Sequence, residues 1–159
     1  MKRSIKSAPF GHLNDGRTAS LFTLTNSGGA SVSFTDFGAT LVDAQMPDAS
    51  GKLGPVALGF DTLAQYENDT SYIGPVIGPV ANRISGPGFT INGTRFKLDN
   101  NDGGNCLHSG RTGWHRQLWD AETTDDTLQF TLQTQDGAGG FPGDVSAKLC
   151  ISFDDDTRL

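Results

Sequence analysis

The 159-residue chain is poor in cysteine, in positive charge and in long apolar runs. Each shortage excludes something. Cys106 and Cys150 are its only cysteines, far apart and in no paired motif, so no disulfide framework is expected. Free thiols in a reducing compartment are the default. Lys and Arg total 12 against 18 Asp and Glu, for a net charge of −6. Beyond Lys2-Arg3 there is no run of basic residues. Such a surface repels phosphate backbones and anionic lipid, so neither nucleic acid nor membrane is an expected partner. No apolar stretch approaches the ~20 residues that cross a bilayer. Met1 to Phe10 has two early positive charges but no apolar stretch after them, so it does not read as a secretory signal. Together these absences make a cytoplasmic location the expectation.

Helix-forming stretches are scarce too. Asp61-Thr62-Leu63-Ala64-Gln65-Tyr66 is the one good start, with Asp61 as the expected N-cap and room for one or two turns. Glycine and proline at 74, 75, 78 and 79 break up anything longer. The 21 glycines follow no fixed period, which excludes a collagen-like chain and favours short elements joined by tight turns.

What is present alternates with period two, the strand signal. Ser20 to Asn26 is rich in β-formers, and Gly28-Gly29 turns the chain. Ala30 to Asp36 sets Val32 and Phe34 on one face against Ser31, Ser33 and Thr35. Thr40 to Met46 follows, and Val56-Ala57-Leu58 reads as a short buried strand. Phe89 to Ile91 and Thr94 to Leu98 flank Asn92-Gly93, a hairpin turn in which both residues accept positive φ. Gln117 to Glu122, Thr127 to Thr134 and Val145 to Phe153 complete the strands. No repeat or linker interrupts them. The expected fold is all-β, one domain of antiparallel sheets in a sandwich. Arg158-Leu159 read as the start of a return strand after the Asp154-Asp155-Asp156-Thr157 turn, so the sheet is expected to be incomplete at the C-terminus.

Two segments carry candidate chemistry. Ile77 to Ile84 holds an Asn82-Arg83 pair between turns, and Asn105 to Gly110 places His108 before Ser109-Gly110. A sugar offers several hydroxyls, each both donor and acceptor. Arg and Asn supply planar sets of donors, and His plays either role. Trp114, Trp119 and Phe141 are available as aromatic faces. On spacing alone, Arg83 reads equally as a surface ion-pairing residue, Asn82 as a turn residue and His108 as a structural histidine. His12 lies in an N-terminus expected to be loose, and His115 in a polar stretch. Cys106, His108 and His115 match no standard zinc spacing, and Asp154 to Asp156 lack the glycine and distal Glu of a calcium loop.

A set of motifs, in order, resembles the aldose 1-epimerase (galactose mutarotase) family. They are Phe10-Gly11, Leu24-Thr25-Asn26, Phe37-Gly38-Ala39-Thr40-Leu41, Leu58-Gly59-Phe60-Asp61, Tyr66, Ile77-Gly78, Ala81-Asn82-Arg83-Ile84, Ile91-Asn92-Gly93, Leu107-His108, Trp119-Asp120, Asp136-Gly137 and Gly140-Phe141-Pro142-Gly143. The resemblance covers essentially the whole chain. It implies a large antiparallel β-sandwich of the galactose mutarotase type. It also implies an enzyme that interconverts the α and β anomers of free hexoses by acid–base ring opening, without a cofactor. By motif, Asn82 and Arg83 match the sugar-binding pair and His108 the substrate-orienting histidine. Two sites depart from the family: Pro79-Val80 stand where Arg-aromatic is usual, and Ser109 where Gly is. The family's acid, a His in an Asn-His-aromatic segment, and its base, a Glu, find no match up to Leu159. The resemblance therefore implies that residues 1–159 are the N-terminal part of the domain, with no catalytic proton-transfer residue and no activity alone. Two further readings are a non-catalytic carbohydrate-binding module of this fold, and a hexose-6-phosphate epimerase with Arg111 and Arg116 at the phosphate.

Overall fold

The structure, a computed structural model, describes residues 2–159. Five strands follow one another as an antiparallel meander: β1 (Ser4–His12), β2 (Thr18–Thr25), β3 (Ser31–Thr35), β4 (Thr40–Pro47) and β5 (Leu53–Pro55). A short helix α1 (Leu63–Glu67) comes next. Two small antiparallel pairs fill the middle of the chain. β6 (Arg83–Ser85) pairs with β9 (Asn105–Leu107), and β7 (Gly88–Ile91) pairs with β8 (Thr94–Lys97). The last sheet is β10 (Asp120–Thr123), β11 (Thr127–Thr134) and β12 (Val145–Ser152), in that order.

The period-two pattern decides which faces meet. Phe22 and Leu24 of β2 and Val32 and Phe34 of β3 point the same way, because successive side chains alternate across a strand. Leu128, Phe130 and Leu132 of β11 do the same in the last sheet. The two sets share one core cluster with Ile151, Phe153 and Trp119, so the sheets pack face to face as a sandwich. Phe130 is fully buried and meets Phe22 edge to face, with centroids 5.8 Å apart. A second cluster of Leu13, Ala19, Phe37, Leu63 and Tyr66 seats α1 against β1 and β2.

Asn26 ties the two halves. It is 1% exposed, its Oδ1 accepts from the Ala30 N–H at 3.0 Å, and its Nδ2 donates to the Asp154 carbonyl at 3.1 Å. Phe37-Gly38 makes the second tie: Phe37 bridges Leu118, and the Gly38 N–H donates to the Gln117 carbonyl at 2.8 Å. Gly38 has φ +70°, and a Cβ there would lie 2.8 Å from the His115 carbonyl oxygen. Only glycine lets the chain pass that close in that conformation.

Several expectations need correction. Val56-Ala57-Leu58 is not a buried strand. The strand is Leu53–Pro55 at the sheet edge, and Val56 and Leu58 are 67% and 81% exposed. Apolar composition alone does not reveal which side of an edge strand faces the core. The helix cap is Thr62, not Asp61; Gln65 Oε1 accepts from the Thr62 N–H at 3.0 Å and from its hydroxyl at 2.9 Å. His12 does not lie in a loose tail but ends β1, which pairs with β2 along its length despite Pro9 and a bulge between Pro9 and Gly11. Arg158-Leu159 do not start a strand. Asp154 accepts the Arg158 N–H at 2.9 Å through Oδ1 and closes a turn. Asn92-Gly93 behaves as expected, with φ of +48° and +80° between β7 and β8.

Candidate functional site

The pairing of β6 with β9 brings the two candidate segments together. Arg83 stands opposite Leu107, which places Asn82 beside His108, 26 residues further along the chain. The His108 N–H donates to the Asn82 carbonyl at 2.9 Å, and the Asn82 N–H donates back to His108 Nδ1 at 3.0 Å. Because Nδ1 accepts, the neutral ring carries its proton on Nε2. Asn82, His108 and Ser109 all have positive φ, between +51° and +64°. Three non-glycine residues in this region mark a locally strained site.

The neighbourhood supports that geometry. Ser109 Oγ accepts from the Val80 N–H at 2.8 Å and donates to the Val80 carbonyl at 2.9 Å. A glycine there would leave both groups of Val80 without this clamp. Asn101 brackets the peptide before His108, accepting the Leu107 N–H at 2.8 Å and donating to its carbonyl at 3.0 Å. Arg83 is held on two sides. Its Nε donates to Asp102 Oδ2, and its Nη1 donates to Asn82 Oδ1 at 3.1 Å. The amide nitrogen of Asn82 and the rest of the guanidinium have no partner among the described residues.

Tyr72, which the sequence does not mark, and His115, which reads there as part of a polar stretch but is buried, complete the site. Tyr72, at φ +56°, lies edge-on to His108 at 4.5 Å and edge-on to His115 at 5.1 Å. His115 is 6% exposed, its Nδ1 lacks a hydrogen-bond partner, and burial, with Arg116 nearby, lowers its pKa to about 4. Burial and the Arg83 charge also lower the pKa of His108. Both rings are therefore neutral at pH 7. Nothing in the spacing of positions 72, 108 and 115 signals that they meet. An open cleft of about 450 Å³ adjoins them, lined by Tyr72, Asn101, Gly110, Arg111, His115 and Arg116.

The expected aromatic faces are elsewhere. Trp119 is buried and lies edge to face with Trp114, and Trp114 packs on Gly78. Phe141 tilts onto Phe89. Arg116 is committed to protein: its guanidinium bonds the carbonyls of Glu67 and Asp69 and so holds the chain after α1. No group of three or more His, Cys, Asp or Glu stands close enough to hold a metal ion among the described residues. Cys106 is buried and Cys150 exposed, both free. No helix among the described residues is long and apolar enough to cross a membrane.

Fold and site together define an antiparallel β-sandwich protein with an Asn82–Arg83–His108 edge near an open cleft lined by polar and aromatic residues. Comparison with known proteins narrows the class, and the chain belongs to the aldose 1-epimerase family, whose model matches residues 20–159. The aldose 1-epimerase of Escherichia coli strain K12 is 34% identical over 146 residues, covering 91% of this chain and 42% of that protein. The galactose mutarotase of Mus musculus is 36% identical over 152 residues, covering 95% and 44%. The chain thus spans under half the length of these relatives. Among solved structures, the GalM/aldose epimerase homologue from C. elegans superposes with a TM-score of 0.79 at 27% identity, over 94% of this chain and 43% of that one. The galactose 1-epimerase of Lactobacillus acidophilus shares the fold, with a TM-score of 0.75 at 21% identity over 95% and 45%.

Proposed function

We infer that the chain supplies the substrate-binding part of an aldose 1-epimerase site, within a single mutarotase-type domain, and that Asn82, Arg83 and His108 bind a free aldohexose such as galactose or glucose. The observation that carries this reading is the reciprocal pair of hydrogen bonds between Asn82 and His108. It fixes the Asn-Arg pair and the His-Nε2 donor on one edge. Hydroxyl oxygens have two lone pairs each, so an edge of donors suits a polyol.

The reaction is acid–base catalysis. A base takes the proton of the anomeric hydroxyl while an acid protonates the ring oxygen. The C1–O5 bond breaks, leaving an open-chain aldehyde. Rotation about C1–C2 and reclosure give either anomer, so no cofactor is consumed. His108 serves as a neutral donor that orients the sugar, since its Nδ1 is occupied by Asn82. No residue of Met1–Leu159 is assigned as the acid or the base.

Polarimetry of freshly dissolved α-galactose with the 159-residue chain tests the assignment. We expect saturable galactose binding by calorimetric titration of the same chain but no mutarotation faster than buffer. Acceleration would place a proton-transfer pair inside this chain and overturn the division of roles. A chain that binds no sugar would remove the binding assignment. A hexose-6-phosphate substrate is less well supported, because Arg116, one of its two candidate ligands, is spent on backbone carbonyls.

A further inference from the structure

Asp102 lies outside the motifs shared with the family, yet it is the residue that holds Arg83. The pair joins Arg83 Nε to Asp102 Oδ2, while Nη1 reaches Asn82. An arginine loses much rotamer freedom when fixed, so an exposed pair of this kind usually contributes little to stability. Here the turn that carries the carboxylate is fixed by its own bonds. The Asp102 N–H donates to the Asn105 carbonyl at 3.2 Å, and the Asn105 N–H returns to the Asp102 carbonyl at 2.9 Å. Asn105 Nδ2 adds a bond to the same carbonyl at 3.0 Å, and Asn100 Oδ1 accepts from the Gly104 N–H at 3.0 Å. The 100–105 turn is therefore held by bonds that do not involve Arg83. Its backbone bonds do not use the Asp102 side chain.

Two consequences follow from this arrangement. With Nε on Asp102, Nη1 reaches Asn82 Oδ1 and Nη2 is left without a partner among the described residues. The carboxylate also offsets part of the guanidinium charge beside Asn82 and His108. Resting on the binding assignment above, we propose that Asp102 is a positioning and specificity-determining residue. It aims Arg83, and it makes the Asn82–Arg83–His108 edge select neutral aldoses against sugar phosphates. An unpaired arginine at that edge would do the reverse, because guanidinium binds phosphate as a charge-assisted fork.

The test titrates the whole 159-residue chain with galactose and with glucose 6-phosphate, for wild type and for Asp102→Asn. Asp120→Asn, which makes the same charge change on β10, is the control. We expect Asp102→Asn to weaken galactose binding by about tenfold and to tighten glucose 6-phosphate by several-fold, of the order one charge-assisted pair supplies. Asp120→Asn should move neither, and the melting temperature should stay with wild type in both. A purely structural Asp102 would weaken the two ligands alike. That result, or unchanged galactose affinity, overturns the proposal. If wild type binds no sugar, the binding assignment fails. The side-chain Nε–H resonance of Arg83 then decides whether Asp102 holds it: slow exchange lost in Asp102→Asn supports the positioning role, and an unchanged signal refutes it.

Discussion

Replacing Gly78 by alanine should destabilise the chain through one contact. A Cβ built at Gly78 falls 1.9 Å from Trp114 Cε3, 2.3 Å from Cδ2 and 2.4 Å from Cζ3. Carbon atoms in contact sit about 3.5–4.0 Å apart, so the indole must retreat by roughly 1.5 Å or more. It is not free to do so. The Trp114 N–H donates to the Gly78 carbonyl at 3.0 Å, and Trp119 Nε1 donates to the Trp114 carbonyl at 3.1 Å. The Trp119 ring stands edge-on at 5.8 Å and is itself in the core. Overpacking of this kind costs about 1–3 kcal/mol, and the rigidity of the tryptophan pair puts the cost near the upper end. Alanine restricts the unfolded chain and returns about 0.5–1 kcal/mol. The net loss is about 2 kcal/mol, or roughly 4–8 °C in melting temperature for a chain of this size. Gly51→Ala is the comparison: φ is +84° but nothing lies within 4 Å, so only the backbone preference, about 1 kcal/mol, is lost. Thermal unfolding by circular dichroism measures both, and Trp114→Leu added to Gly78→Ala should recover at least about 1 kcal/mol by coupling. The reasoning is refuted if Gly78→Ala melts within a degree of wild type, or if the double variant shows no coupling.

His115 makes stability depend on acid. Its folded pKa of about 4 lies below the unfolded value near 6.5, so the fold favours the neutral ring. The associated stability, about 3 kcal/mol, is fully present above pH 6.5 and is lost as pH falls towards 4. Urea unfolding at a series of pH values should show that slope in wild type and a flatter one in His115→Gln. Asn26→Ala removes, from a fully buried position, the bond that closes the 26–30 turn on the Ala30 N–H and the bond that ties that turn to the Asp154 carbonyl. It should cost about 1–3 kcal/mol by urea denaturation, because the Ala30 N–H and Asp154 carbonyl lose their partner. Phe130→Ala, in the core between the two sheets, should cost about 3–5 kcal/mol by the same measurement.

Alternation along Ala30 to Asp36 was enough to assign a strand and to set Val32 and Phe34 on one face, because side-chain period two is a local property of the backbone; that Ser33 and Thr35 on the other face are buried too was not legible. The Asn92-Gly93 turn was legible for the same reason, since positive φ is a demand on two adjacent residues. β1 was not legible, since Ser4–His12 owes its strand to pairing with β2 rather than to its own pattern. Val56 and Leu58 misled because burial depends on which sheet edge they reach.

The candidate site divides along the same line. Asn82, Arg83 and His108 were marked by residue type and by motif, and the sequence alone determined that these groups exist and what hydrogen bonds they can make. Only the tertiary structure decided that Asn82 faces His108, that Asp102 holds Arg83, and that Tyr72 stands between two histidines. The physical reason is sequence separation. A strand or turn is set by neighbours along the chain, whereas these contacts need β6 laid against β9 and the 109–116 segment folded back on Val80.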